Sequence, residues 1–400
     1  MRKFFTLIYF IFCLACCAYA AEPLDTVEIS PTPQALAPAA LSLPSDSLAL
    51  QLDPLPDEPK KISKTLWIKQ LFKNGFKIAD STVQYPKFPA FCVKVYKWAD
   101  RVFNSYDTAY VVSTGKKWKL QLKSVNSLSD YSFVFPNNKS INIRNDHINA
   151  DIGVSLSFMA VSLGYTFNAN KLLGGSNDNR QNANFSFTCA LFNVEYNYFY
   201  NKGNGRITRF GDYKDGKNVS EKFDNMPIKT HDLAALYYFN HRKYAHAAVT
   251  CFSKYQLKSA HSWVLGCNLT FQDFDFDFRN LPEDMLVYIP DPQLAKTRFN
   301  YMDLSALGGY AYNWVIKPRA WLINVRALGG LGYKRTSESN VDGVRNMLAA
   351  SAWLDLNVVY NHRALFVGLF IRGIGSMYYN KNYNFLNTVA TAQLTVGCRF

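Results

Sequence analysis

The residues with the most chemical potential are two histidine pairs and a short carboxylate row. His231 stands beside Asp232, and His261 beside Ser262, the residue types of a serine hydrolase. A base activates a hydroxyl only within hydrogen-bond reach, and sequence neighbours on a strand point apart. A barrel lipid hydrolase built on these pairs is therefore a low-ranking alternative, and the chain is read as a non-enzyme. His241 and His246 fall on a turn and a strand and do not converge on one metal; His147 and His362 are isolated. Asp273, Asp275 and Asp277 share one strand face, where they would either hold a hard cation or edge a solvated loop, and the second reading is preferred. HExxH, GxSxG and a Gly-rich phosphate loop are missing. No catalytic residue, metal ligand or cofactor is assigned. Cys92, Cys189, Cys251, Cys267 and Cys398 lack metal or CxxC spacing. Cys189, Cys267 and Cys398 sit on the apolar parity of their strands and are read as small outward hydrophobes; an oxidising compartment leaves room for one disulfide.

The elements around these residues are strands. From Leu386 to Phe400, Thr388, Ala390, Ala392, Leu394, Val396 and Cys398 occupy alternate positions, opposite Asn387, Thr391, Gln393, Thr395 and Arg399. Alternate residues face opposite sides, so one face is oily and the other polar. A closing strand that ends on an aromatic resembles the assembly signal of bacterial outer-membrane barrels, which implies Leu394, Val396 and Phe400 as its recognition residues and the barrel assembly machinery as a partner.

The front of the chain agrees. Arg2 and Lys3 precede an apolar run over residues 4–17, followed by Ala18-Tyr19-Ala20, so a signal peptide (1–20) cleaved after Ala20 is expected. Lipidation at Cys16 or Cys17 fits less well, because Cys13 sits where a branched aliphatic is expected before Cys16, and Cys16 where a tiny residue is expected before Cys17. Beyond the leader no run is long enough for a spanning helix. The chain is 16% aromatic but only 18% charged. A membrane barrel explains that mixture, since alternation dilutes its lipid face.

Residues 21–59 hold eight of the sixteen prolines and read as a disordered periplasmic linker. Residues 60–115 form a basic periplasmic helical segment. Ile68, Leu71, Phe72 and Phe76 share one helical face against Lys69, Lys73 and Lys77; Phe91, Val95, Trp98 and Val102 share another against Lys94, Lys97 and Arg101. The basic faces suit anionic lipid head groups or cell-wall peptidoglycan, and a leader sets nucleic acid aside. A lysine face left to solvent, with the oily stripe packed on the barrel, is the equally weighted alternative.

From residue 116 the chain reads as alternating runs to the end. They include Trp118 to Leu122, Phe185 to Cys189, Val194 to Tyr200, Trp263 to Phe271, Trp321 to Ala327 and Leu348 to Tyr360. The fold class expected is all-β: a closed antiparallel transmembrane barrel of about twelve strands, within ten to fourteen, since closure alone satisfies the backbone in lipid. Tyr165 with Phe167, Tyr196 to Tyr200, Tyr237 with Tyr238, Tyr310 to Trp314, and Tyr378 with Tyr379 are girdle candidates. Glu195, Arg326, Asp355, Asn357 and Arg399 take the lumen-facing parity. Counting back from a periplasmic Phe400 puts the Asn361-His362 turn inside, and 333–345, 273–298, 168–181 and 202–227 outside as loops. The same count puts Phe239-Asn240-His241-Arg242 opposite its look-alike Tyr360-Asn361-His362-Arg363. Phe274, Phe276 and Phe278 change parity after Phe271, which predicts a bulge or break there.

Tyr85-Pro86-Lys87-Phe88-Pro89, Tyr106-Asp107-Thr108-Ala109-Tyr110-Val111, Phe239-Asn240-x-Arg242-Lys243 and Leu257-Lys258-Ser259-Ala260-His261-Ser262 resemble the domain-of-unknown-function family number 4421 of Gram-negative cell-envelope proteins. The resemblance covers residues 85–400 and departs at His261, where the family has glycine. It implies an outer-membrane barrel and transfers no site residue. Two functions follow: a small or plugged pore for a solute, or a non-transporting structural, assembly or cell-wall-anchoring barrel. Outer-membrane lipid and lipopolysaccharide are the expected surroundings.

Overall fold

A two-residue period in hydrophobicity builds this molecule, because a strand exposes its odd and even side chains to different phases. The computed structural model describes residues 60–61, 83–84, 91, 98, 101–135, 139–145, 148–169, 179–216, 219–288, 296–336, 346–379 and 384–400. The chain divides into two compact units, Met1–Arg101 and Val102–Phe400. In the first, β1 (Lys60–Lys61) pairs in parallel with β2 (Val83–Gln84), and Phe91, Trp98 and Arg101 are helical and exposed. The leader, its cleavage point, the linker, Lys69, Lys73, Lys77, Lys94 and Lys97 lie outside the described residues.

The second unit begins with β3 (Val111–Ser113). There follow β4 (Trp118–Val134), β5 (Ser140–Asn145), β6 (Asn149–Phe158), β7 (Val161–Asn168), β8 (Asn179–Thr188), β9 (Phe192–Phe210) and β10 (Glu221–Tyr238). Then come β11 (Lys254–Gln256), β12 (Ala260–Asp277), β13 (Lys296–Lys317), β14 (Trp321–Thr336), β15 (Asn346–His362), β16 (Leu365–Tyr379) and β17 (Asn384–Arg399). β3 and β11 form a small sheet of their own, and the other thirteen form one antiparallel sheet. That sheet closes on itself: β17 pairs with β4, and β9 with β10. Trp118 and Phe400 exchange backbone hydrogen bonds, both 3.0 Å, so the barrel starts and finishes at one end, here the terminal end.

The ring changes width along its axis. Near the terminal end the order is β4, β6, β7, β8, β9, β10, β12, β13, β14, β15, β16, β17, the twelve strands expected. Toward the far end β6, β7 and β8 stop. β5 alone then bridges β4 and β9, leaving ten.

β14 shows the two faces. Leu322, Asn324, Arg326, Leu328 and Lys334 are buried, while Trp321, Val325, Leu331 and Tyr333 are exposed. Leu386, Leu394, Val396 and Phe400 are likewise exposed on β17, with Asn387, Thr395 and Arg399 buried. Exposed Trp118, Phe239, Trp263, Trp314 and Trp321 lie near the terminal end, and Phe271, Tyr333 and Tyr379 toward the other. An apolar exterior this continuous marks a nonpolar surrounding phase or partner. Among the described residues no helix is long and apolar enough to cross a membrane.

Several expectations are corrected. No bulge interrupts β12, which keeps unbroken register with β10 and β13 through Phe274. The parity shift at Phe274 arises because the far-end interior is apolar, so Phe274 points inward and is fully buried. Residues 202–210 and 221–227 are strand, as are 333–336, 273–277 and 296–298, since hairpins continue beyond the apolar belt. Phe239–Arg242 and Tyr360–Arg363 sit at the same end: Tyr238 meets the terminal-end residues of its neighbour β12, and Leu365 pairs with Cys398. Tyr238 and Tyr378 are inside, not in a girdle, and Cys189 is buried at the end of β8 rather than facing out.

Candidate functional site

The interior is filled in three tiers. At the terminal end, the connection between β10 and β12 (residues 239–259) folds back into the bore instead of turning tightly. Tyr244, Ala245, His246, Ala247, Val249, Cys251 and Phe252 are all at or below 2% exposed. The segment lacks alternation because it faces wall on every side. Gln256 is its hub: Oε1 accepts from Ala245 N (2.9 Å) and Asn313 Nδ2 (3.1 Å), and Nε2 donates to Lys243 O (2.6 Å) and Lys258 O (2.9 Å). Asn357 donates to Asn324 (2.9 Å), which donates to Asn313 (2.8 Å) and to Tyr244 Oη (3.0 Å). Arg399 Nε donates to Phe252 O (2.9 Å), and its Nη2 to Asn361 Oδ1. The Phe252 ring stacks on Phe366 at 4.1 Å. Gly397 makes room, since a Cβ there would fall 2.3 Å from the Phe366 ring and 2.8 Å from Leu120 O.

Residues 102–116 strap this plug. β3 pairs with β11, Asp107 N donates to Arg242 O (2.8 Å), and Ala190 N donates to Phe103 O (2.8 Å). Lys243 and Lys258 lie over the Tyr110 ring. Burial pushes the Tyr106 and Tyr244 phenols up, so both stay protonated. Burial, with Arg326 nearby, pushes the His246 imidazole down, so it is neutral.

The middle tier is a chain of charge across the bore. Arg326 Nη1 donates to Tyr238 Oη (3.2 Å), and its Nε and Nη2 meet Asp355 Oδ2 at 2.8 Å. Asp355 Oδ1 takes Arg372 Nε at 2.6 Å, and Arg372 Nη1 reaches Glu195 at 3.3 Å. β9 and β16 are six strands apart in either direction round the terminal-end ring, so Arg372–Glu195 spans the diameter.

The far tier is apolar. Every strand of the ten-stranded part lends a side chain. Tyr131, Phe133, Ile141, Ile143, Ile207, Phe210, Phe223, Met226, Phe274, Tyr301, Met347, Tyr378 and Phe385 form one buried cluster. Lys334 from β14 sits between the Tyr301 and Tyr378 rings, 3.2 and 3.1 Å from their centroids. Phe278, Leu281 and Met285 from the β12–β13 connection cover it. A ring of this size is narrow enough for side chains to fill.

Glu195, Arg326, Asp355, Asn357 and Arg399 thus all lie on the inner wall. Arg326, Asp355 and Glu195 meet in the middle tier, and Asn357 and Arg399 hold the plug. Sequence reading missed Arg372, although an arginine inside the apolar run Ile371 to Ile374 signals an inward position. It also missed the plug, whose only mark is an apolar stretch, residues 244–252, without alternation. His231 and Asp232 face opposite sides, His231 accompanying Tyr196 (2.8 Å from Nδ1) and Asp232 accepting from Thr270 (2.7 Å). His261 lies on the exposed face beside Tyr310, whereas Ser262 is buried inside. Neither pair meets. Asp277 of the carboxylate row binds Arg279 (2.6 Å). Among the described residues no group of three His, Cys, Asp or Glu could hold a metal.

The family described as Domain of unknown function (DUF4421) matches residues 105–400, and the chain belongs to it. No curated protein matches in sequence. Among solved structures, the beta domain of the Bordetella autotransporter Brka is 8% identical, covering 69% of this chain and 98% of that one, with a TM-score of 0.32. The outer membrane protease OmpT from Escherichia coli is 7% identical, covering 74% and 98%, with a TM-score of 0.30. The COG4313 outer membrane channel from Pseudomonas putida F1 is 10% identical, covering 72% and 98%, with a TM-score of 0.29.

Proposed function

We propose that this member of the DUF4421 family is an integral outer-membrane barrel that does not conduct, and that it serves as a membrane anchor for its own amino-terminal region in the envelope. The oily exterior between two aromatic rings supports the membrane setting. The far tier carries the functional reading. It consists of side chains from all ten strands around it, and a wall cannot withdraw its own side chains as it could withdraw a plug.

The runner-up is a plugged pore. It is favoured by the plug's being a separate segment, residues 102–116 and 239–259, that could leave the bore as a unit. Planar-bilayer conductance separates the two. Full-length protein and a variant lacking residues 21–115 are both expected to stay silent. Steady single-channel openings from either would overturn the anchor reading in favour of transport.

A further inference from the structure

The two ends of the barrel differ in charge. At the far end the signs are mixed: Lys139 meets Asp212 at 2.5 Å, Arg144 meets Asp130 at 2.8 Å, and Arg279 meets Asp277 at 2.6 Å. The terminal end carries one sign. Its hairpin turns expose Lys317, Arg319 and Arg363, and the plug exposes Arg242, Lys243 and Lys258. Lys116 is exposed where the strap enters β4. Among the described residues of that end, the carboxylates are the Asp107 side chain and the chain terminus at Phe400. Asp107 already accepts from Ala109 N at 2.9 Å. None of these terminal-end cations joins an ion pair among the described residues.

Two details separate this face from an ordinary solvated rim. The first is in the turns. Arg319 (φ 62°) and Arg363 (φ 51°) hold left-handed backbone, which glycine adopts without strain and other residues do not. The two turns are neighbours, since Asn361 N donates to Ala320 O at 2.8 Å. Tyr255 of the plug donates to Arg363 O at 3.5 Å, and a shallow hollow beside it is lined by Lys254, Tyr255, Arg319 and Asn361. The second detail is on the plug. Lys243 and Lys258 lie over one ring, that of Tyr110, 5.2 and 5.4 Å from its centroid. That ring gathers two ammonium groups where a carboxylate would pair them. Cations therefore occupy both the rim and the mouth. Lipid head groups surround a barrel but do not lie over its bore, so anionic lipid reaches the turns and leaves the plug cations unmatched. A polymer lying across the end reaches both.

We propose that the terminal face, plug and turns together, docks on a carboxylate-bearing polymer, the chemistry of the peptide stems of peptidoglycan. Arg319 and Arg363 fork carboxylates at the rim, and Arg242, Lys243 and Lys258 supply charge over the mouth. A one-signed face draws in a polyanion and holds it through many weak contacts. The proposal deepens the anchor reading by naming what the barrel is anchored to. It rests on the membrane setting of that reading, with the terminal end toward the cell wall.

The test is co-sedimentation of full-length protein in detergent with purified peptidoglycan sacculi. The comparison probes are sacculi whose carboxylates have been amidated, and anionic phospholipid vesicles. Wild type should sediment with native sacculi, be released by salt, and ignore amidated sacculi. Arg319→Gly with Arg363→Gly should bind roughly thirtyfold more weakly, about fivefold per cation beside an anionic surface. The glycine pair should unfold at or above the wild-type urea concentration, because the left-handed strain is relieved, so its loss of binding is not a loss of fold. Arg319→Lys with Arg363→Lys should keep most of the binding. Arg242→Gln, Lys243→Gln and Lys258→Gln together should weaken it further than the glycine pair does. Equal binding to native and amidated sacculi would overturn the proposal. So would undiminished binding by both the glycine pair and the glutamine triple, which would move the contact to the basic segment 60–115. Tighter binding to the vesicles than to sacculi would assign the face to lipid instead. A barrel that conducts yet still sediments with native sacculi overturns only the non-conducting reading.

Discussion

Replacing Asp355 by alanine should cost the barrel about 3–5 kcal/mol, the penalty for leaving a buried charge without its partner. The magnitude follows from who loses what. Arg326 is 1% exposed and gives Asp355 both Nε and Nη2. Without the carboxylate its remaining hydrogen bond among the described residues is to the Tyr238 hydroxyl at 3.2 Å. Arg372 loses a 2.6 Å contact but retains Glu195 at 3.3 Å, and its side chain is 32% exposed. The penalty therefore falls mainly on Arg326. With a urea slope of about 3 kcal/mol per molar, the midpoint should drop by roughly 1–1.7 M. The assay is urea unfolding in lipid vesicles, with folded fraction read from heat-modifiable gel mobility. Coupling Asp355→Leu to Arg326→Met should restore most of the loss, because apolar packing replaces such pairs at little cost. A drop under about 1 kcal/mol, the scale of an exposed pair, or a double variant as weak as the single one, would refute the idea that this bridge is a desolvated brace.

Lys334→Met together with Asp303→Asn should raise the unfolding free energy by about 1–3 kcal/mol, because it removes a buried ammonium whose Nζ has no hydrogen-bond partner among the described residues along with the carboxylate directly opposite it on β13, charges that neutral groups replace with a net gain; a lowered value would show that the tyrosine sandwich and the carboxylate outweigh desolvation. His246 should make the protein acid-sensitive. Its folded pKa is depressed by burial and Arg326, so the unfolded chain takes the proton first, and stability is complete above pH ~6.5 and falls as pH drops below it. Unfolding midpoints at pH 7.5 and 5 should differ in wild type and differ less in His246→Gln, and equal differences would remove His246 as the cause.

Much of the wall was legible because each inner and outer residue of a strand answers to a different solvent. Leu386 to Phe400 shows its oily and polar faces in the order the structure adopts, and Trp118 marks the first strand of the ring. Reading failed where that two-phase rule fails. At Phe274 the inside itself turns apolar, so parity inverts without any bulge. Over Tyr244 to Phe252 every side chain is enclosed, so no period exists to detect. Tyr238 and Tyr378 look like girdle residues, yet they serve buried arginine and lysine.

Alternation and the closing aromatic strand determined by themselves that this chain forms an antiparallel barrel of about twelve strands, since only closure satisfies a backbone in lipid. Which residues cross the bore was decided in three dimensions. Arg372 and Glu195 are 177 positions apart in the chain and meet only because the ring brings opposite walls together. The loss of three strands at the far end is equally a matter of pairing. β5 competes for the edges of β4 and β9, and no local pattern records which partner a strand will choose.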